Sequence, residues 1–360
     1  MSRILVLGAG MMGAAITVPA AENAHSIALV GTPYDTGTIR SVLASGWHPG
    51  LETQLSERVE PFECETVPHG LGAGADLVVA AVTSAGLAWA CDWIVSHCPQ
   101  PVPVILVAKG VSVSDGRIVP LSDHAGTLLK DAGGTGHPVV AIAGPCIARD
   151  LANKHHTSVI LASRDLASAE ATRSALATPY YHLGIEPDVD GAEFCAAFKN
   201  LYAIAIGWAA GTGARGATGA GGAPTVNLKA TLFAQALLEM GYLVEVFGGV
   251  DKTALGPAGA GDLYVTCEAG RNGRLGRHMG SGLSFADVVE GPMRGETVEG
   301  AELAHRVAPL IRGLIEDGRI EAARVPLLSC ILGEICSGPR RDIGLAEILG
   351  VCETPSRTRP

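Results

Sequence analysis

The sequence predicts an α/β chain: a doubly wound, mostly parallel sheet in the N-terminal half and an all-helical C-terminal domain. Three observations carry this prediction. Short apolar, β-branched runs alternate with helical stretches through the first half, the pattern of a parallel sheet covered on both faces. A glycine-rich turn joins the first of these runs to the first helix. Near Gly191 the strand pattern stops and long apolar helical segments replace it. With 360 residues the chain is long for one core, so two domains are expected. They are residues 1–190 as the sheet domain and 191–350 as the helical domain, followed by a tail at 351–360.

Taken in order, Ile4–Leu7, Ser26–Val30, Leu77–Val82, Val102–Val107 and Val139–Ile142 read as buried strands, and Ser158–Ala162 extends the series. Continuous apolar character, not alternation, is what a strand buried on both faces requires. Leu87–Ser96, Leu121–Asp131 and Leu166–Leu176 read as intervening helices. From Phe194 to Ala210 the residues are apolar nearly all round, the mark of a buried helix. Gly211–Pro224 is almost wholly Gly, Ala and Thr and reads as a loop, and Leu228–Phe247 reads as a helix again. Leu345–Pro360 ends in a polar, proline-containing stretch expected to fray.

Composition narrows the function. Hydrophobic residues at 48% against 17% charged ones are enough for a large interior and argue against disorder. A net charge of −10 argues against a general nucleic-acid binder, so an anionic ligand would need a local basic site. The nine cysteines are odd in number and form no C-x-x-C pair. No disulfide framework and no metal site are expected, and a reducing cytoplasm is the simpler setting. Arg3 and the apolar stretch to Val18-Pro19-Ala20 have the outline of a signal peptide. Strand, glycine turn and helix is the better reading, because cleavage would delete the first element of the fold. No run long and uninterrupted enough for a convincing membrane span is seen.

Gly8-Ala9-Gly10-Met11-Met12-Gly13 matches G-x-G-x-x-G and sits between a strand and a helix. In that context the glycines permit a tight turn and close approach of a pyrophosphate, which the N–H groups at the helix start then hold. This is the dinucleotide-binding fingerprint of a Rossmann sheet. The second strand ends at Val30-Gly31-Thr32, with no carboxylate where one would grip the ribose of NAD. Asp35 lies further on, as a helix cap, and Arg40 is a candidate for a 2′-phosphate. The choice between NAD and NADP therefore stays open.

Three further features carry chemistry. Lys109 follows the apolar run Val102–Ala108, at the strand end where ligands of such sheets bind; position alone leaves an ordinary surface lysine equally open. Lys199 is the only charge between Phe194 and Ala210, with Asn200 beside it. A buried ammonium needs a partner or a lowered pKa, and a lysine of the second kind can serve as a general acid/base. The third feature runs from Gly256 to His278. A glycine-rich turn delivers Asp262, followed by Thr266, and then Arg271, Arg274, Arg277 and His278 form a basic knot in an acidic chain. Such a knot suits a phosphate.

These residues resemble the NAD(P)-dependent glycerol-3-phosphate dehydrogenase family, archaeal-type members above all, over nearly the whole chain. The landmarks occur in family order: Gly8-x-Gly10-x-x-Gly13, Ala81-Val82-Thr83-Ser84, Ala108-Lys109-Gly110, Gly144-Pro145-Cys146-Ile147-Ala148, Lys199-Asn200, Gly261-Asp262-Leu263, Thr266-Cys267, Arg271-Asn272 and Val298-Glu299-Gly300. The resemblance implies Lys199 as catalytic acid/base, Lys109 as the group polarising the reacting oxygen and Asp262 as the third catalytic residue, orienting the lysine. It implies Gly144, Asn200, Asp262, Thr266, Arg271 and Asn272 around a small phosphorylated polyol or ketone. Gly8, Gly10, Met11, Met12, Gly13, Thr32, Lys109, Ala148, Arg271 and Glu299 are implied around NAD or NADP. A homodimer is expected.

Several positions depart from the family pattern. Cys146 stands where a Ser is usual, Met12 where an aromatic is common, and Gly270 where a Ser is usual. They leave the exact polyol phosphate open. A ketopantoate-reductase-like or β-hydroxyacid dehydrogenase shares the glycine fingerprint and the helical Lys and Asn. Its carboxylate substrate does not account for Arg271-Asn272. A nucleotide-sensing protein without chemistry does not account for Lys109, Lys199 and Asp262 together.

Overall fold

A computed structural model describes residues 1–114, 116–212 and 225–338. The chain divides into two compact units, Met1–Ser114 with Val119–Glu193, and the residues from Phe194 onward with a short piece before residue 119.

The first unit is built on an eight-stranded sheet. Its strands are β1 (Arg3–Leu7), β2 (Ser26–Val30), β3 (Val59–Phe62), β4 (Leu77–Ala80), β5 (Val104–Leu106), β6 (Val139–Ala143), β7 (Thr157–Ala162) and β8 (Tyr181–Glu186). Their order across the sheet is β3-β2-β1-β4-β5-β6-β7-β8. All neighbours are parallel except β6 and β7, which are antiparallel. The first six strands thus follow the doubly wound order, which reverses between β1 and β4. Helices α1 (Met11–Glu22), α2 (Thr36–Ser45), α3 (Leu87–His97), α4 (Leu121–Asp131), α5 (Ala148–Ala152) and α6 (Leu166–Leu176) connect them.

Successive side chains of a strand point to opposite faces, and here both faces are buried. Ile4 and Val6 enter one hydrophobic core with Ile16, Leu151 and Leu176; Leu5 and Leu7 enter the other with Leu87, Ile94, Leu121 and Leu129. That is why the strands read as unbroken apolar runs.

Two predicted strands are shorter than expected. Leu77–Val82 ends at Ala80, and Val102–Val107 spans only Val104–Leu106. Pro103 has no N–H for the ladder, which delays the start of β5. The sequence reading missed β3 because Val59-Glu-Pro-Phe carries a proline and a charge. As an edge strand it tolerates both, with Pro61 opposite Leu29 of β2. The reading also missed β8, the other edge.

The long helix α7 (Val189–Thr212) includes the predicted Phe194–Ala210 segment. The second unit continues through α8 (Val226–Val246), α9 (Asp262–Ala269), α10 (Arg271–Gly280), α11 (Phe285–Glu290), α12 (Glu299–Glu316) and α13 (Pro326–Cys336). Among the described residues no strand of the eight-stranded sheet lies here. Phe194 and Phe198 of α7 stack with Phe247, just beyond α8, at ring separations of 4.4 and 5.9 Å. Buried Glu239 on α8 accepts the backbone N–H groups of Leu327 and Leu328, in the first turn of α13, and the hydroxyl of Tyr202. Four-fifths or more of the predicted loop Gly211–Pro224, and the whole predicted tail, lie outside the described residues.

Candidate active site

In the first unit the glycine turn has the geometry its motif requires. Gly8 has φ +107°, and a Cβ there would stand 2.3 Å from the Ala81 carbonyl oxygen. A Cβ on Gly13 would stand 2.0 Å from the Gly8 carbonyl oxygen, so α1 can approach the turn only without one. Gly10 differs: a Cβ there would meet nothing within 4 Å. The space beside Gly10 is open, as close approach of backbone to a pyrophosphate would require, and no side chain caps α1, which starts at Met11. The residues present fit a dinucleotide.

At the carboxyl ends of the neighbouring strands, Lys109 Nζ donates to the Gly144 carbonyl oxygen at 2.5 Å. Two residues implied at the substrate therefore meet. Ala148 opens α5 and is buried, Met12 packs against the core, and Met11 is exposed.

The end of β2 corrects the sequence reading. Asp35 stands at the start of α2, but its side chain makes no capping hydrogen bond there. Its Oδ2 instead accepts from Thr32 N at 2.9 Å, Thr32 Oγ1 at 2.8 Å and Ala9 N at 3.0 Å. A carboxylate thus does reach the strand end, folded back three residues. Arg40, the candidate for a 2′-phosphate, has its Nε 2.8 Å from Glu63 Oε1.

In the second unit Lys199 is buried on α7 with a partner. Its Nζ lies 2.5 Å from Asp262 Oδ1 and donates to Thr266 Oγ1 at 3.0 Å. The Thr266 hydroxyl donates in turn to the Asp262 carbonyl oxygen at 2.7 Å, closing the group across the first turn of α9. Asp262 is only 2% exposed. The ion pair offsets the desolvation that either charge alone would suffer. Beside it, Asn272 Oδ1 accepts the Gly300 N–H at 2.8 Å while Asn272 Nδ2 donates to Asn200 Oδ1 at 2.9 Å. The Asn272 amide is committed to this bridge, and the Asn200 NH₂ group is left as the donor toward other partners.

The basic knot is less basic than its sequence suggests. Arg271 pairs with Glu299, and Arg274 with Glu296. Both glutamates precede or begin α12, too far along the chain for a local charge count to include them. Gly270 leads into α10 with no side-chain cap, so the N–H groups of Arg271 and Asn272 open that helix.

The strand order and open glycine turn of the first unit, with the buried lysine–carboxylate–hydroxyl group of the second, define a nicotinamide-dinucleotide-dependent oxidoreductase. Models of the two halves of one family match nearly end to end: NAD-dependent glycerol-3-phosphate dehydrogenase N-terminus over residues 3–169 and C-terminus over residues 188–335. An NADP(+)-dependent glycerol-3-phosphate dehydrogenase of Archaeoglobus fulgidus is 33% identical over 287 residues, 80% of this chain and 82% of the relative. A glycerol-3-phosphate dehydrogenase [NAD(P)+] of Beijerinckia indica is 34% identical over 293 residues, 79% of this chain and 80% of the relative. The structure of a Plasmodium falciparum glycerol-3-phosphate dehydrogenase shares the fold, with a TM-score of 0.80 at 17% identity over 99% of this chain and 97% of that one. The chain belongs to the NAD-dependent glycerol-3-phosphate dehydrogenase family. This membership decides against the carboxylate-reducing and the non-catalytic alternatives.

Proposed function

We propose that this chain interconverts sn-glycerol 3-phosphate, or a closely related polyol phosphate, and dihydroxyacetone phosphate, with Lys199 as the acid/base. The buried Lys199–Asp262–Thr266 group carries this reading. When bound, the nicotinamide ring supplies or takes up the hydride. Gly8, Gly10, Met11, Met12, Gly13 and Thr32 would hold the dinucleotide, with Lys109, Ala148, Arg271 and Glu299 as further contacts.

Lys199 holds a proton at Nζ and delivers it to the substrate oxygen as the ketone is reduced, then recovers it in the reverse direction. Asp262 steadies the ammonium and Thr266 orients it. Lys109 is the second lysine of this reading and polarises the reacting carbonyl oxygen, with the Gly144 carbonyl holding its ammonium in place. Asn200 offers its NH₂ group to a substrate hydroxyl. Arg271 takes the phosphate by its guanidinium, and because the side chain of Asn272 is engaged, Asn272 contributes its backbone N–H.

The test is reduction of dihydroxyacetone phosphate with NADH or NADPH, followed at the nicotinamide absorbance band. Reduction of ketopantoate with no reduction of dihydroxyacetone phosphate would overturn the assignment. The same reading includes a homodimer in a reducing cytoplasm. The cysteine pattern supports that setting, and among the described residues no helix is long and apolar enough to cross a membrane. Light scattering on the purified chain checks the dimer.

A further inference from the structure

We propose that His48 is a positioning residue for cofactor binding, holding the glycine turn in the shape that leaves Gly10 open. The inference rests on the dinucleotide reading of that turn.

His48 comes from a short hairpin, Trp47–His48 against Thr53–Gln54, inserted between α2 and β3. Its ring is 1% exposed. The Leu51 N–H points at Nδ1 at 3.0 Å. A backbone N–H is always a donor, so Nδ1 must be the unprotonated nitrogen and Nε2 carries the hydrogen. Nε2 lies 3.0 Å from the Ala9 carbonyl oxygen and therefore donates to it.

The same residue is held from its other side, where Ala9 N donates to Asp35 Oδ2 at 3.0 Å. Both peptide groups flanking Ala9 are thus fixed by side chains from outside the turn. The next peptide enters α1 through Gly10 O, which accepts from Ala14 N at 3.0 Å. A turn with three glycines in six residues loses much conformational freedom on ordering. His48 and Asp35 supply that order without placing an atom beside Gly10.

The hairpin is itself anchored. Arg149 of α5 donates to the Gly50 carbonyl oxygen at 3.2 Å and to Glu52 Oε1 at 3.3 Å. A Cβ on Gly50 would lie 3.1 Å from Met11 Cγ, so the hairpin tip rests against the fingerprint.

Two variants separate the atoms of the ring. His48→Asn keeps an acceptor near the Nδ1 position for Leu51 and loses the donor to Ala9. His48→Gln places an amide N–H near the Nε2 position and loses the acceptor for Leu51. We expect His48→Asn to raise Kd and KM for the cofactor about tenfold, the effect of one hydrogen bond, with KM for dihydroxyacetone phosphate unchanged. His48→Gln should stay within about threefold of wild type in cofactor KM while melting at a lower temperature. Equal cofactor affinity in His48→Asn and wild type, or equal losses in both variants, would make His48 a core residue only and overturn the proposal. Should the variants fail to fold, nitrogen-15 histidine spectra of the wild-type protein decide. The Nε2–H tautomer and a shift of the His48 signals on adding NADH are expected; the other tautomer, or no shift at saturation, overturns the proposal. If wild type binds neither NADH nor NADPH, the dinucleotide reading itself falls.

Discussion

Lys199 Nζ and Asp262 Oδ1 stand 2.5 Å apart, with both side chains almost wholly removed from solvent. A lysine held in this way is neither a lone buried ammonium nor a surface ion pair. Each charge compensates the other, so single and double substitutions here should separate stability from chemistry.

Lys199→Ala is expected to lower kcat by roughly 10²–10⁴, the range for a general acid/base, while cofactor binding stays nearly intact. It should also lower stability by about 3–5 kcal/mol, because a buried ion pair loses its ammonium. Lys199→Met with Asp262→Leu should recover much of that stability and none of the activity. Steady-state kinetics and thermal melts on both variants check this. A kcat above a tenth of wild type in Lys199→Ala would remove the lysine from the mechanism.

For Arg271→Ala the loss should fall on phosphate recognition. Removing a charge-assisted bond costs about 1.5–3 kcal/mol, seen as a rise in KM for the phosphorylated substrate with a smaller change in kcat. Its partner Glu299 is about half exposed (48%), so breaking the pair should cost less than about 1 kcal/mol of stability. An unchanged KM would place the phosphate elsewhere.

Asp35 bears on the choice of cofactor. The sequence alone offers no carboxylate at Val30-Gly31-Thr32 and suggests NADH and NADPH within roughly a hundredfold of each other, about 2.7 kcal/mol. With the Asp35 carboxylate folded onto Thr32 and Ala9, a 2′-phosphate near this strand end meets a like charge. Asp35→Asn keeps acceptors for these N–H groups and removes the charge. The ratio of kcat/KM for NADPH to that for NADH should rise about tenfold, or ~1.4 kcal/mol. An unchanged ratio would mean that the ribose is read by other residues.

Stability should fall as pH rises through neutrality. Burial pushes the Glu239 carboxyl up to about 7, despite hydrogen bonds from Gln235, Leu327, Leu328 and Tyr202. Burial likewise pushes Glu193 up to about 7, despite those from Ser122. A carboxyl raised above its unfolded value holds its proton longer in the folded state. Its stabilising effect is complete below the ordinary value near ~4.3 and is lost as pH rises through about 7, on the order of 3 kcal/mol per group. Melting temperature should therefore decline between about pH 5 and about pH 8, and Glu239→Gln should flatten the decline. An unaltered slope in that variant would show that Glu239 does not titrate there.

Much of this molecule was legible from local pattern. The unbroken runs of β1, β2 and β6 announce strands with two buried faces. Gly8, Gly10 and Gly13 are read from their spacing between a strand and a helix, and Lys199 stands out because the apolar run around it has no polar face. Period, glycine spacing and a charge out of place are properties of neighbours along the chain.

Pairing across long separations is decided only when the chain closes on itself. Val59–Phe62 becomes a strand because β2 offers it an edge, a fact absent from its own residues. Asp262 compensates Lys199, Glu299 and Glu296 neutralise Arg271 and Arg274, and His48 reaches Ala9 through contacts that no spacing rule contains. Composition identified the charges, but their energies depend on burial and on the partner within about 3 Å, and both are set by tertiary packing.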